Sequence, residues 1–466
     1  MTPQQNLADA VRELMPRARA DLADLVAFAS VADPRQYPVE ECEGAARWVA
    51  DAFAAEGLRD VRLLDTPDGT QSVYGELPGP EGAPTVLLYS HYDVQPPLDE
   101  AAWTSPPFTL TERGGRWYGR GAADCKGNVL MHLTALRALR AVHGGAGDGA
   151  AGAGLPVGLK VVVEGSEERG TGGLERYAEA HPELLAADAV VIGDTGNFAP
   201  GLPTATASLR GSTTVEVSVS TLAGNLHSGQ FGGAAPDALT ALVRLLGTLH
   251  DEHGATTVAG LAADQRWDGV AYPEEQFRAD AGVLDGVGLV GTGEVADRLW
   301  ARPSVTVLGI DCPPVVGATA SVQARARALV SLRVPPGVGA RAAQDALVAH
   351  LEAAAPWGAR VEVVRGGTGD PFRADTGGPA YAAMGTALRE AYGREMVLAG
   401  EGGSIPLCNT LRRLYPRAEL VLVGVEEPLT AIHGIDESVD PVELERMSLA
   451  EALFLRGYAA AWHAAR

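Results

Sequence analysis

One stretch limits the folds open to this chain more than any other: TVLLYSHYDVQPP, Thr85 to Pro97. Val86, Leu87 and Leu88 form an apolar run of the kind that is buried on both faces of a sheet, which points to a strand inside an α/β layer. That strand delivers Ser90, His91, Tyr92 and Asp93 to its carboxyl end, the edge at which open α/β sheets gather their ligands. His91 and Asp93 stand two apart on an extended chain and therefore share a face. The carboxylate can orient the imidazole while the second ring nitrogen takes a metal; a hydrogen-bonded structural pair satisfies the same spacing. Recurrence decides between the two, and three further buried strands end in acids or imidazoles downstream.

In chain order, residues 5–30 place Leu7, Val11, Leu14, Ala18, Leu22, Leu25 and Val26 at helical spacing, and a second amphipathic helix is expected from Glu43 to Glu56, stopped by Gly57. Short strands at Val61–Leu64 and Ser72–Leu77 precede the Thr85 strand. The loop GGRWYGRGAADCKGN, Gly114 to Asn128, then enters a helix over Val129–Val142. This strand-loop-helix rhythm predicts a doubly wound α/β domain. The Gly/Ala stretch Gly144–Pro156 lacks the order of a phosphate loop and reads as a surface insertion. Strand Gly158–Val163 feeds EGSEERGTGG, and strand Asp188–Ile192 feeds Gly193, Asp194 and Thr195.

After Pro203 the pattern changes. Alternating STTVEVSVST, Ser212–Thr221, predicts a half-exposed antiparallel strand, whose polar face and edge suit a symmetric contact between two copies. GNLHSGQFGGAAP, a helix over Asp237–Leu249 and a polar passage to about Arg302 follow. Strands Val305–Ile310 and Ser321–Val334, a helix Ala340–Ala354 and a strand Arg360–Val364 complete an inserted α+β unit. From Gly378 the α/β rhythm returns with helix Pro379–Tyr392, EGGSIP, helix Leu407–Leu414, strand Leu420–Val425, His433 and helix Pro441–Ala465. The expected organisation is a catalytic domain in two parts, 1–207 and 368–466, around an inserted domain at 208–367.

A length of 466 residues supports two cores. The balance of 37 basic to 59 acidic residues, net −22, repels nucleic acid and anionic lipid. No run is long and apolar enough to span a bilayer and the first residues lack a secretory h-region, so a cytoplasmic protein is expected. Cys42, Cys125, Cys312 and Cys408 show no CxxC spacing, which argues against a thiolate zinc site and a disulfide framework.

The acidic excess gathers at strand ends. His91, Asp93, Glu164, Glu167, Glu168, Asp194, Glu401, Glu427 and His433 all follow buried strands, with Asp124 in the Gly-rich loop. Carboxylates crowded at one sheet edge raise one another's pKa unless cations neutralise them. Imidazole and carboxylate without thiolate suit Zn, Mn or Co, and two ions about 3.5–4 Å apart polarise a carbonyl and ionise a water. The chemistry implied is hydrolysis.

The motifs SHYDVQP, WTSPPF, WYGRGAADCKG, EGSEERG, GDTG, NLHSGQFGG, VSLRVPP, EGGSIP and the late His433 occur together in an order that resembles the M20 metallopeptidases, in their cytosolic dipeptidase and carnosinase-like branch. The resemblance covers nearly the whole chain. It implies a zinc-peptidase-like catalytic domain with a mixed sheet and a ferredoxin-like lid that also dimerises. It implies two divalent metal ions, zinc first, with manganese or cobalt as alternatives. His91 and Asp194 would hold one, Glu168 and His433 the other, and Asp124, followed by a cis peptide to Cys125, would bridge them. Asp93 would orient His91, and Glu167 would take the proton of a metal-bridging water and pass it to the leaving amine. His227 would reach a neighbouring subunit's site in a homodimer and hold the oxyanion. Arg333 would grip a substrate carboxylate, with Glu401, Gly402, Gly403 and Ser404 lining the pocket. The implied substrate is a dipeptide or short peptide with a free carboxylate.

Glu167 and Glu168 also suit this division on local grounds, because adjacent residues beyond a strand diverge; a solvated turn is the plainer account of such a pair. Cys125 reads as packed. Three positions depart from the branch: Gly400 stands where relatives often carry Arg, GGTGDPF (Gly366–Phe372) replaces a histidine-bearing HGGKPW-like segment, and HGIDE replaces an HSPNE-like ending. Substrate choice is therefore open between dipeptides and N-acyl amino acids, which need the same chemistry. A non-catalytic metal-binding relative would have no use for Glu167.

Overall fold

The computed structural model describes residues 3–143, 155–403 and 405–466; the insertion at 144–154 and Ser404 lie outside the described residues. Leu7, Val11, Ala18, Leu22 and Leu25 recur along one stripe and are all buried, so the first segment folds as a helix, Pro3–Val26. Pro16 lies inside that helix. A proline there costs about 3 kcal/mol, and burying two or more of those leucines, at about 1.5–3 kcal/mol each, offsets it. The next helix, Val39–Ala55, begins before the expected Glu43, because Pro38 sets the entry and Glu40 and Glu41 complement the first-turn dipole. Gly57, at φ +90°, ends it.

The chain divides into two compact units, Met1–Ala207 with Ala374–Ala399 and Thr410–Arg466, and Ser208–Arg373 with Gly400–Asn409. In the first, a mixed sheet runs in the order Arg59–Asp65, Gln71–Leu77, Gly158–Glu164, Thr85–His91, Ala189–Gly193, Glu419–Val423 and then the strand beginning at Thr204. The four strands from Gly158–Glu164 to Glu419–Val423 are parallel. Val86–Tyr89, Val161–Val163, Val190–Ile192 and Val421–Val423 are buried, as strands with a layer on each face must be. Register places His91 beside Glu164, Tyr89 beside Ile192 and Gly193 beside Val423. The four carboxyl ends therefore lie level along one sheet edge. Helices Pro3–Val26, Lys126–His143, Pro379–Tyr392 and Pro441–Ala464 pack against one another beside this sheet.

The second unit is the expected α+β arrangement. Its antiparallel sheet runs Ser304–Asp311, Arg325–Val334, Gly211–Ser220, Arg360–Gly369. Helices Ala238–Gly247 and Ala340–Ala353 cover one face through Leu242, Leu245, Leu347 and Leu351 against Val215, Val217, Val330 and Leu332. Chain order is strand, helix, two strands, helix, strand, a ferredoxin-like order.

Three expectations change here. The Ser212–Thr221 segment is paired on both sides and is no edge; its alternation reflects one covered and one open sheet face, and the edges are Ser304–Asp311 and Arg360–Gly369. The long strand expected over Ser321–Val334 breaks at residues 323–324, where Asp237 and Asn225 side chains capture the amides of Gln323 and Ala324. Ser321–Val322 pairs instead with Leu226–His227. The last strand runs on past Val364 to Gly369 through a bulge between Arg365 and Thr368. At Gly366 a Cβ would come within 2.1 Å of Thr214 Oγ1, so the glycine that looked like a strand end is what lets the strand continue.

Candidate active site

Each parallel strand of the first unit hands a different group to the common edge. His91 ends its strand; its Nδ1 lies 2.9 Å from the Asp93 main-chain oxygen. Donation of Nδ1–H to that carbonyl leaves the Nε2 lone pair facing inward. The Asp93 carboxylate, fully buried, stands 3.5 Å from the same nitrogen and accepts hydrogen bonds from the amides of Glu167 at 3.1 Å and Glu168 at 3.0 Å. Asp93 thus orients the ring through its carbonyl and fixes the Glu167–Glu168 turn through its side chain.

His91 Nε2 lies 3.0 Å from Asp194 Oδ1 and 3.1 Å from Asp124 Oδ1. His433 Nε2 lies 2.9 Å from Asp124 Oδ2 and 3.0 Å from Glu168 Oε1. Asp124 therefore gives one oxygen to each of two clusters. Atoms bound to one zinc ion at about 2.0–2.2 Å in tetrahedral geometry sit roughly 3.3 Å apart, close to these spacings. A further observation favours ligation: Glu168 Oε1 is buried and makes no hydrogen bond despite its closeness to His433, while Gln95 Nε2 donates to Oε2 at 2.9 Å. Donors of this chemistry, at this spacing, fit a pair of divalent ions. The Asp124–Cys125 peptide is cis. Cys125 Sγ donates to Gly193 O at 2.9 Å and is wholly buried; burial pushes its thiol pKa well up, so it stays packed and protonated.

The carboxylates of Asp124 and Glu168, facing its ring at 2.9 and 3.0 Å, raise His433 to a pKa of about 10. Burial lifts Asp194 to about 6, against the pull of His91. Burial and then the charge of Asp194 push the Glu167 carboxyl well above its ordinary range. The His433 shift has a consequence for metal uptake. A raised pKa means that the free site holds this proton at every pH below about 10, so an entering ion must displace it. Apparent zinc affinity of metal-free protein is therefore expected to rise with pH, by up to about tenfold per unit for each proton displaced, and to level off above the His433 pKa. Calorimetric titration across that range, in buffers of different ionisation enthalpy, measures the proton release; an affinity independent of pH would contradict the arrangement.

Not every strand-end acid reaches the cluster. Glu427 turns away to Arg116, 2.5 Å off, and to the Leu429 amide, and Glu164 accepts from Tyr89 Oη at 2.9 Å. Glu426, the neighbour of Glu427, instead shares a possible ligand group with Asp124 and Asp194. Sequence reading counted Glu427 among the strand-end acids and passed over Glu426. The parallel bridge between Gly196 and Glu426 carries the extended chain beyond Val423 and reverses which of the two faces the site.

In the second unit, His227 is exposed and its Nδ1 accepts from the Gly229 amide at 3.1 Å, which leaves Nε2 to carry the proton. Arg333 is half-buried and stands opposite Ser304 and Ser212. Sequence reading passed over Arg210, which is 7% exposed. Its Nη1 donates to Ser304 Oγ at 3.0 Å, its amide donates to Glu401 O at 3.1 Å, and its Nε has no partner. Burial, then the charge of Arg333, lowers its pKa to about 10. Among the described residues no acid pairs with either guanidinium. A Cβ on Gly402 would come within 3.0 Å of Arg210 Nη2, so the glycine lets the 401–403 backbone approach that cation. Gly400 also has a cause: a Cβ there would lie 2.6 Å from Trp300 Cγ, so the indole fills the space an arginine side chain would enter. Ser404, expected in this pocket, lies outside the described residues.

Comparison with known proteins agrees with this geometry. Residues 87–456 match the model of peptidase family M20/M25/M40. A cysteinylglycine-S-conjugate dipeptidase of Corynebacterium striatum is 47% identical over 444 residues, 94% of each chain. The crystal structure of human carnosine dipeptidase 1 superposes with a TM-score of 0.80 at 26% identity, covering 99% of each chain. The structure of the dipeptidase Dug1p from Saccharomyces cerevisiae gives 0.79 at 21% identity, again over 99% of each chain, a likeness of fold. With most of its length matched and its strand-end acids and imidazoles gathered as described, the chain belongs to peptidase family M20/M25/M40.

Proposed function

We propose that this protein is a dinuclear metallo-dipeptidase that cleaves the amide bond of dipeptides or short peptides carrying a free C-terminal carboxylate. One observation carries the reading: Asp124 gives an oxygen to each of two imidazole-containing clusters, close to the half-buried Glu167. His91, Asp194 and Asp124 would hold one ion and Glu168, His433 and Asp124 the other, with zinc the first choice and manganese or cobalt alternatives. When bound, such ions polarise the scissile carbonyl and lower the pKa of the attacking water. Glu167, its amide pinned by Asp93, accepts the proton of that water and returns it to the leaving amine. His227 donates Nε2–H to the oxyanion.

The relative from C. striatum makes cysteinylglycine and its S-substituted forms the first substrates to test, beside β-alanyl-histidine and N-acetyl amino acids. Chelation should abolish hydrolysis and metal should restore it. Full activity in metal-free protein, or turnover confined to N-acetyl amino acids, would defeat the dipeptidase reading, the latter in favour of a deacylase. Substrate carboxylate recognition is assigned to Arg333 with Arg210, because two guanidiniums without an acid form an anion site. Arg333→Ala should then raise KM for dipeptides by about 10- to 150-fold, the worth of a charged hydrogen bond at about 1.5–3 kcal/mol. Equal cleavage of amidated and free-acid dipeptides would count against the clamp.

A homodimer through the second unit is part of this reading. The open face of its sheet exposes Leu308, Leu329 and Val364 at 57%, 41% and 56%, and its two edge strands are unpaired on one side; a second copy is the occupant that covers such a surface symmetrically. All four cysteines are free, which suits the cytoplasm. No helix among the described residues is long and apolar enough to cross a membrane.

A further inference from the structure

The loops bearing Asp124 and His433 are tied together by a buried ion pair that takes no part in the chemistry above. Glu437 is wholly buried and Arg120 is 1% exposed. Glu437 Oε2 accepts from Arg120 Nη1 at 2.6 Å and from the Gly121 amide at 3.0 Å; Oε1 accepts from the amides of Ala123 and Asp124, each at 3.1 Å. One carboxylate therefore collects nearly every free amide of the loop that ends in Asp124. Gly121, at φ +80° and with a Cβ position only 2.6 Å from Val94 Cγ1, is the residue that lets this loop curl round the carboxylate. Arg120 binds in the other direction, donating from Nη2 to Gly434 O at 2.9 Å and to Pro96 O at 3.2 Å.

The segment so held is strained. Ala431, His433 and Asp436 all have positive φ, between 52° and 59°, a region that a non-glycine residue keeps only where its surroundings fix it. Asp436 is fixed by Thr104 and Arg113, and Gly434 by Arg120. His433 directly precedes Gly434, inside a turn closed by the Gly434 amide on Ala431 O at 2.9 Å.

We propose that Glu437 and Arg120 are positioning residues, a clasp that sets Asp124 and His433 at ligand spacing before any ion arrives. This rests on the reading of Asp124 and His433 as metal ligands. A site already formed binds without the cost of ordering two loops, and outer hydrogen-bond partners of ligands are commonly worth 10- to 100-fold in metal affinity.

The test is zinc affinity of metal-free, full-length protein, measured by competition with a chromogenic chelator. Glu437→Gln, which removes the charge and turns one acceptor into a donor facing amides, should weaken zinc binding by about 10- to 100-fold. Arg120→Lys, which has no fork to span Glu437 and Gly434, should weaken it in the same direction and stands in if Glu437→Gln does not fold. Glu443→Gln is the control. Glu443 is as deeply buried and accepts from Asn197, the Gly201 amide and Tyr392, so it loses comparable bonds at a distance from the two loops and should leave zinc affinity unchanged. Unaltered affinity in the folded clasp variants, or an equal loss in Glu443→Gln, overturns the proposal. Failure of the unaltered protein to take up zinc, manganese or cobalt overturns the ligand reading itself, and the clasp with it.

Discussion

Glu167→Gln should retain both ions and lose about 100- to 10,000-fold in kcat, the span of a general base. The amide is isosteric with the carboxylate, and the residue's backbone is fixed by Asp93 whatever the side chain, so geometry survives and only the proton acceptor is lost. Glu168→Gln separates the two neighbours. Glu168 places Oε1 within 3.0 Å of His433 Nε2 with no hydrogen bond, and a neutral amide there should cost metal. The measurement is metal content by atomic spectroscopy beside steady-state kinetics on both variants. Equal metal loss in the two would mean that the roles of base and ligand have been assigned to the wrong members of the pair.

The second large effect is expected at His227. His227→Ala should keep its metal and lose about 100- to 1,000-fold in kcat, as removal of an oxyanion donor does. Its Nδ1 is committed to the Gly229 amide, which leaves one donor, Nε2–H, for a developing negative charge. If that donor serves the other subunit, mixing inactive His227→Ala with inactive Glu167→Gln should restore activity. Each mixed dimer would then contain one site with an intact Glu167 and the partner's intact His227, up to about half of its sites. Subunit exchange is followed independently by native mass spectrometry on tagged chains. Exchange without recovered activity would place His227 in its own subunit's site or outside the reaction.

Sequence and structure agree wherever a signal was local. Runs such as Val86–Leu88 and Val421–Val423 announce buried strands by composition alone, and the acid or imidazole that follows each is adjacent in the chain, so His91, Asp194 and Glu168 could be read directly. What was missed depended on parity or on remote partners. Glu426 and Glu427 differ by one residue in a strand extension set by Gly196, far off in sequence. Arg210 follows a buried strand and carries no local signal, because the lack of an acid beside it among the described residues is visible only in three dimensions. Gly400 reads as a lost arginine until Trp300 is seen in the space. The second duty of Asp93, holding two amides across 74 and 75 residues, leaves no trace in spacing.

The order of strands in the first unit differs from the order in which the chain is made. Glu419–Val423 lies between Ala189–Gly193 and the strand that starts at Thr204, so an interior strand of the sheet is supplied more than two hundred residues after the neighbours it joins. Until it emerges from the ribosome, the apolar edge of Ala189–Gly193 has no partner, and pairing must close a very long loop, the slowest kind of contact for a chain to make. His433 follows that strand. A nascent chain that has not yet added His433 therefore carries Glu167 but only part of the proposed ligand set, and the proposed metal centre is complete only once that strand has joined the sheet. Until then the unpartnered strand edge of the incomplete sheet would be a binding site for chaperones.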